Sequence, residues 1–567
     1  MRHVTRFIFI FVILAGLALA QHRSRLAPEL QELDPSTTVD VIIQYNRTPS
    51  DFSHSLVEGR GGRRHRTFES IKSAHYTVPV SALADLANDP DIAFIHPDRA
   101  VQATGTAAPD YGWMGVLGVT NPHAWGNHDE IGVGVAVIDS GINDAGELSR
   151  GKSSRIVYSR SFVPGDSSTA DAYGHGTHVA GIVGGDGSSS SGGSYVVRGI
   201  APSVRLINLR VLNQYGASTD SSVIAAIQQA ISLKNTYNIR VINLSLGRPV
   251  AGSYVTDPLC QAVEAAWNAG IVVVVAAGND GRYTGTQGYG TISAPGNDPY
   301  VITVGAMNTM ATLDRSDDKM ASYSAKGPTL FDHIVKPDLV APGNRVLSIL
   351  AVKSELSSLF PQNIVTMLSK YFQLSGTSMA APMVSGAVTL LLDQNSSLTP
   401  DQVKAKLMRS ADKIFMAATC PSGQTCATQA SKKTTAVDPQ TLQSYTSYYD
   451  MFTVGAGYLN VANALADETS VPSGKSSLSP SVSLNASTGA VTLVTGSSVT
   501  WGSSVTWGTS VIWGTNTLSG SSVTWGTSVI WGTHSASAQS VIWGTSVIWG
   551  TSGPCADNLF LSLVGEQ

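Results

Sequence analysis

Short apolar runs alternate with longer stretches of helical period over residues 112–466. The runs at 133–138, 205–210, 241–246, 271–276 and 301–304 are rich in Val, Ile and Leu and only four to six residues long. They read as strands buried on both faces, because a half-solvated strand would alternate apolar with polar. Between and after them, 175–183, 221–233, 257–268, 379–392 and 400–410 carry apolar positions at helical spacing. Strand–helix alternation of this kind predicts an α/β fold, a mostly parallel sheet with helices on both faces. A separate, weaker pattern precedes it: a strand at 39–45, a short helix at 81–87 and a strand at 92–96, together a small α/β unit.

After residue 464 the pattern changes abruptly. Residues 467–496 are rich in serine and poor in aromatics, which predicts a linker. A repeat follows at 497–553, with Trp at 501, 507, 513, 525, 531, 543 and 549 and gaps at Ser519 and Ser537. The gaps share a column with Trp501, so the underlying period is eighteen residues, or three hexapeptides. Within each hexapeptide Val and Trp lie two apart and share a strand face, while Gly marks a bend. This fits an all-β repeat, either a three-sided solenoid or a meander of hairpins. Residues 554–567 form a tail.

Composition narrows the reading. At 567 residues the chain exceeds one ordinary domain, and 43% hydrophobic content is ample for a large core. A net charge of −4 provides no basic field for nucleic acid. Residues 1–20 place Arg2 and Arg6 before an apolar run that ends in Ala18-Leu19-Ala20. This predicts a signal peptide and export; a retained anchor would need a longer run. Export permits disulfides. Cys420 and Cys426 read as a loop closed on itself, while Cys260 is either a partner for Cys555 or a buried thiol in its helix.

Three motifs carry candidate chemistry. G-T-S-M-A-A-P puts Ser378 at a helix start, where unpaired backbone N–H groups face developing negative charge. A serine hydroxyl needs a base to take its proton. D-A-Y-G-H-G-T-H-V-A-G supplies His175, and V-A-V-I-D-S-G leaves Asp139 at the carboxyl end of a buried strand. An acid that orients an imidazole that deprotonates a serine forms a catalytic triad.

The three blocks, in the order Asp139, His175, Ser378, resemble the active-site blocks of the subtilase family over residues 111–463. The order is matched to that family's known template. The resemblance implies a subtilisin-like fold and a serine endopeptidase acting on protein or peptide substrates, with no cofactor required for the chemistry. It implies that Asn279, closing V-V-V-V-A-A-G-N, donates its amide to the oxyanion beside the Ser378 backbone N–H. V-I-N-L-S-L-G implies substrate contacts at Ser245, Leu246 and Gly247. Arg248 stands where the family often has glycine, which leaves the charge at the pocket rim and the cleavage preference open. Residues 21–104 resemble the family's inhibitory pro-domain, with processing expected between about residues 100 and 110, ahead of a catalytic domain at 105–466. Asp338, in K-P-D-L-V-A-P-G, reads as structural. His178 reads as packing or hydrogen-bonding beneath the catalytic imidazole, and H-x-x-H without a glutamate does not make a zinc helix. The 186–193 loop lies where many relatives carry calcium, so structural calcium stays open. A second functional reading is a surface-binding protein, in which the protease mainly matures itself and the Trp repeat holds envelope or polymer.

Overall fold

The computed structural model describes residues 25–103, 132–144, 146–151, 153–191, 196–365, 369–412, 433–438, 442–468, 476–485 and 490–494. The signal peptide, most of the expected processing stretch, the Trp repeat, the tail and Cys420, Cys426 and Cys555 lie outside these residues. The chain divides after Arg99 into two compact units.

The first unit is an antiparallel sheet carrying helices. Strand β1 (Thr38–Tyr45) pairs on one side with β3 (Ser73–Pro79) and on the other with β4 (Ile92–Pro97), and β2 (Arg63–Phe68) adds to β3 at the edge. Helix α1 (Asp51–Glu58) opens on a capping box between Ser50 and Ser53, and α2 (Leu83–Ala87) follows β3. Val41, Ile43, Val57, Tyr76, Leu86 and Ile95 share its core. The sequence predicts β1, α2 and β4 but not α1, β2 or β3. Strand β2 is Arg-Arg-His-Arg-Thr-Phe, exposed along most of its length, so no periodicity betrays it.

The second unit is built on the expected sheet. Its strands are β6 (Gly134–Asp139), β7 (Ile156–Ser161), β8 (Arg205–Arg210), β10 (Ile239–Leu244), β12 (Val272–Ala276), β13 (Ile302–Asn308), β14 (Lys319–Met320) and β15 (Leu339–Pro342). The order is β14-β13-β12-β10-β6-β8-β7, with β15 also on β13, and every pairing is parallel except β13 with β14. Strands β6, β12 and β13 are buried at every residue, hence their unbroken apolar runs. Helices α4 (Asp220–Tyr237) and α5 (Pro258–Asn268) pack on each other, α4 against β10 and β6 and α5 against β12. Helices α3 (His175–Gly184) and α6 (Thr377–Gln394) form the other group, with α6 over β10, β12, β13 and β15. A last helix, α7, spans Pro400–Ser410.

Three short strands form a second sheet: β5 (Ala100–Ala103) runs antiparallel between β9 (Ala217–Thr219) and β11 (Leu246–Gly247). Residues 100–103, expected in the N-terminal domain, therefore belong to the second unit.

The linker expectation also needs correcting. Ser481–Asn485 and Ala490–Val494 pair as a hairpin, and Ser479 donates from Oγ to Asp338 Oδ1 at 2.5 Å. The serine-rich composition conceals a segment docked on the second unit. Among the described residues no helix is long and apolar enough to cross a membrane.

Candidate active site

Asp139 is the last residue of β6, at the carboxyl edge of the parallel sheet, where side chains leave the core and can work. His175 opens α3, and its Nδ1 lies 2.8 Å from Asp139 Oδ1, with both side chains buried. A carboxylate accepts, so Nδ1 carries the proton and Nε2 is the basic nitrogen. Asp139 Oδ1 also accepts from Ser140 N at 2.7 Å, which fixes the carboxylate before it meets the ring. The contact demands a close approach. A side chain at Gly176 would come within 2.2 Å of Gly141 O, so glycine lets α3 press on the turn after β6.

Asp171 is a residue that sequence reasoning missed. Its buried carboxylate accepts from Gly174 N at 2.6 Å, Thr177 N at 2.7 Å and Ser140 Oγ at 2.7 Å. Burial pushes its pKa up, and those hydrogen bonds oppose the shift. It ties the turn before His175 to the turn after Asp139. Its partners lie up to 31 positions away, so only D-A-Y-G-H hinted at it.

Ser378 is the second residue of α6, and α6 packs against α3. The two N-termini that carry the serine and the imidazole thus belong to one helix pair. Ser378 Oγ donates to Ser245 O at 3.0 Å, and Ser245 Oγ donates back to Ser378 O at 2.8 Å. The second bond has a cause in the sequence. Pro382 falls in the second turn of α6, not in the first as a start at residue 379 predicts, because the helix begins at Thr377. Proline has no N–H to give the carbonyl four residues back. That carbonyl belongs to Ser378, and the Ser245 hydroxyl fills the vacant role. Asn243 Nδ2 in turn donates to Ser245 Oγ at 2.9 Å.

Asn279 follows the end of β12. Its Oδ1 accepts from Thr377 N and Thr377 Oγ1, both at 3.0 Å, and Thr377 Oγ1 accepts from Gly278 N at 3.1 Å. The backbone donor fixes which end of the amide is oxygen, leaving the Nδ2 hydrogens as the donating end beside the start of α6. Thr377 is thus a second positioning residue hidden from sequence reading.

Leu246 and Gly247 pair with β5, Leu246 opposite Ala103 and Gly247 opposite Gln102, while Ser245 just before them is bound to Ser378. Arg248 does not charge a pocket rim. Its guanidinium is buried, with Nε on Asp220 Oδ1 at 2.8 Å and Nη2 on Asp257 Oδ2 at 2.7 Å. Burial alone would depress its pKa, but Asp220 and Asp257 drive it well above the ordinary arginine value.

Other expectations fall on neighbouring ground. His178 Nε2 lies 3.1 Å from Val346 O and 3.0 Å from Phe372 O, and burial lowers its pKa to about 3. Asp338 is enclosed by Lys336 at 2.7 Å and Lys404 at 3.2 Å. Cys260 is a buried thiol 3.4 Å from Asn297 Oδ1. In the 186–193 loop Asp186 Oδ1 accepts from Ser188 N at 2.8 Å. Glu147 Oε1 also reaches this loop, accepting from Ser189 N at 3.1 Å. In the first unit Asp40, His65 and His75 bring ligand atoms within 4.8 Å of one another. Thr77 Oγ1 already joins His65 Nε2 at 2.6 Å to Asp40 Oδ1 at 2.5 Å, and Arg63, Arg64 and Arg66 share the strand. That environment suits a hydrogen-bonded network, not a cation.

The model of the subtilase family matches residues 130–438, more than half of the chain. The chain belongs to the subtilase family. Its relatives include the serine protease AprX of Bacillus subtilis, 40% identical over 287 residues, which make up 50% of this chain and 62% of AprX. Subtilisin E of Bacillus subtilis is 31% identical over 383 residues, 66% of this chain and 86% of that protein. Among solved structures, fervidolysin from Fervidobacterium pennivorans, described as a keratinolytic enzyme related to subtilisin, aligns with a TM-score of 0.56 at 19% identity. That alignment covers 80% of this chain and 64% of fervidolysin, and at such identity it speaks to the fold alone. The mixed, mostly parallel sheet is thus the α/β architecture that the alternation of strands and helices predicts, and it is the subtilisin-like fold that the family resemblance implies.

Proposed function

We propose that this chain is a secreted serine endopeptidase that cleaves proteins through an acyl-enzyme and is made as a precursor cut by its own site. The observation that carries the reading is the buried Asp139–His175 bond on the helix pair that presents Ser378. His175 takes the Ser378 proton as the hydroxyl attacks the scissile carbonyl, then gives it to the leaving amine. Asp139 holds the tautomer that leaves Nε2 basic and stabilises the imidazolium. Asn279 Nδ2 and the Ser378 N–H hold the oxyanion, a contact stronger in the transition state than in the ground state. Water then hydrolyses the ester.

Strand β5 supports the precursor reading and an extended pose for a substrate. It pairs through main-chain hydrogen bonds on both sides, so sequence matters little along the backbone. Its side chains alternate, with Val101 buried and Gln102 exposed. The strand ends at Ala103 opposite Leu246, the residue after Ser245, whose carbonyl accepts from Ser378 Oγ. This supports cleavage by the chain's own site in the stretch expected for processing, between about residues 100 and 110. Export rests on residues 1–20, and calcium enters no step.

Mass spectrometry of the expressed chain beside Ser378→Ala tests the reading. The wild type should lose an N-terminal segment ending between about residues 100 and 110 and hydrolyse casein. The variant should stay uncut and lose turnover by about 10⁶, a figure measured on subtilisin, itself a subtilase. Processing of the pure variant at the wild-type rate would overturn self-cleavage. Casein hydrolysis that survives the substitution would overturn the protease assignment.

A further inference from the structure

The two strands that flank β5 are joined by one buried side chain. Strand β9 ends at Thr219 and passes directly into α4, whose first residue is Asp220. Strand β11 ends at Gly247 and passes directly into Arg248. Arg248 Nε lies 2.8 Å from Asp220 Oδ1 and 3.1 Å from Oδ2. Its Nη2 reaches both oxygens of Asp257, at 2.8 and 2.7 Å, and Nη1 donates to Pro249 O at 3.2 Å. Asp257 caps α5, accepting from Leu259 N at 2.9 Å. None of the three side chains is more than 3% exposed.

The backbone of Arg248 is held as firmly. Its N–H donates to Ala294 O at 3.1 Å, and its carbonyl accepts from Ala294 N at 2.8 Å. The guanidinium is therefore a rigid fork between one wall of the groove, the start of the helix behind the other wall, and a third element. A planar guanidinium satisfies two carboxylates at fixed angles, which an ammonium on a flexible stem does not.

Geometry assigns the consequence. Residues 100–102 of β5 pair with Thr219–Ala217 on one side, residues 102 and 103 pair with Gly247 and Leu246 on the other, and Gln102 is held by both strands. Ser378 lies beyond those pairs, where its Oγ donates to Ser245 O. If the gap between β9 and β11 changed, the part of a substrate remote from the cleaved bond would lose its hydrogen bonds first. Groups at the bond itself would keep theirs, because Ser245, Asn279 and Ser378 are held by their own network.

We propose that Arg248 is a positioning residue, with Asp220 and Asp257, that sets the separation of the two strands gripping the substrate backbone and so confers preference for extended peptides. The inference rests on the protease reading above. Arg248 touches no substrate atom; it acts through the strands.

The test uses the matured full chain and two substrates with the same residue before the cleaved bond, a tetrapeptide anilide and a single-residue ester. Arg248→Lys keeps the charge and loses the fork. It should raise KM for the tetrapeptide about tenfold or more while kcat and kcat/KM for the ester stay within about twofold. If Arg248→Lys does not fold, the neutral triple variant Arg248→Met/Asp220→Asn/Asp257→Asn removes the buried charges together, and it should show the same length-selective loss. Proportional changes for both substrates, or none in a variant that folds, would overturn the inference. Absence of Ser378-dependent hydrolysis of either substrate by the wild type would instead overturn the protease reading, so the two failures are separable.

Discussion

The two units of this chain handle charge in opposite ways. In the first, the Arg47–Asp91 pair closes at 2.7 Å with its side chains 77% and 36% exposed, and Arg64 and Glu58 stand 3.8 Å apart in water. In the second, Asp139 with His175, Arg248 with Asp220 and Asp257, and Asp338 with Lys336 and Lys404 are enclosed almost completely. An exposed pair gains little, because water screens it and two flexible chains must be ordered. A buried pair is costly to assemble and costlier to break, since removing one partner strands the other in a low dielectric. The comparison teaches where this protein uses charge to fix geometry. Its interior ions hold the carboxyl end of β6, the strands on either side of β5 and the last helices, whereas its surface ions hold little.

Four substitutions sharpen or break that contrast, and the largest effect is expected at the acid. Asp139→Asn should leave the fold intact but lower turnover by about 10⁴, because the imidazole loses the acceptor that sets its tautomer. Stopped assays on a tetrapeptide anilide, paired with a melting curve, check it. A loss below tenfold would mean that the buried Asp139–His175 bond is only structural.

Asp338→Ala should come next. It leaves Lys336 and Lys404 buried without their carboxylate and should cost about 3–5 kcal/mol of stability. Urea denaturation in a Ser378→Ala background measures this without self-digestion. Equal stability would show that the carbonyls of Pro299, Tyr300 and Val301, which also accept from Lys404, suffice for it alone.

His178 should give a pH effect. Burial holds its folded pKa near 3, well below the ordinary 6.5, so between those values the unfolded chain binds more protons than the folded one. Its contribution is fully present above about pH 6.5 and is lost as pH falls toward 3. In the Ser378→Ala background the melting temperature should fall between pH 7 and pH 4.5, and His178→Gln should shrink that fall. An unchanged slope would assign the acid sensitivity to other groups.

The smallest effect belongs to the first unit. Arg47→Ala should change stability by no more than about 1 kcal/mol, and less in high salt. A larger loss would erase the contrast between the two units.

Much of the second unit was legible beforehand because its strands are buried on both faces. Strand β8 matches its predicted range, and β6, β10, β12 and β13 begin within two residues of theirs. Helix α7 also matches. The first unit hid half its elements, since an edge strand such as β2 has no core-facing stripe to reveal it. The serine-rich stretch misled for a related reason. Ser479 docks through hydrogen bonds to buried charges, and hydroxyl contacts leave no hydrophobic period. Asp139, His175 and Ser378 were visible as motifs, whereas Asp171 and Thr377, which hold them, were not, because a positioning residue is defined by partners distant in sequence.

The sequence by itself determined the class of fold, the reactive groups and the order in which they occur, for these depend on local pattern and on chemistry that each side chain carries alone. Tertiary structure alone decided that Arg248 is an enclosed strut and not a rim charge. It also decided that residues 100–103 lie as a strand between β9 and β11, and that the carbonyl freed by Pro382 meets the Ser245 hydroxyl. Each of those facts is a distance between groups far apart along the chain, and folding sets such distances through packing and desolvation that no short stretch encodes.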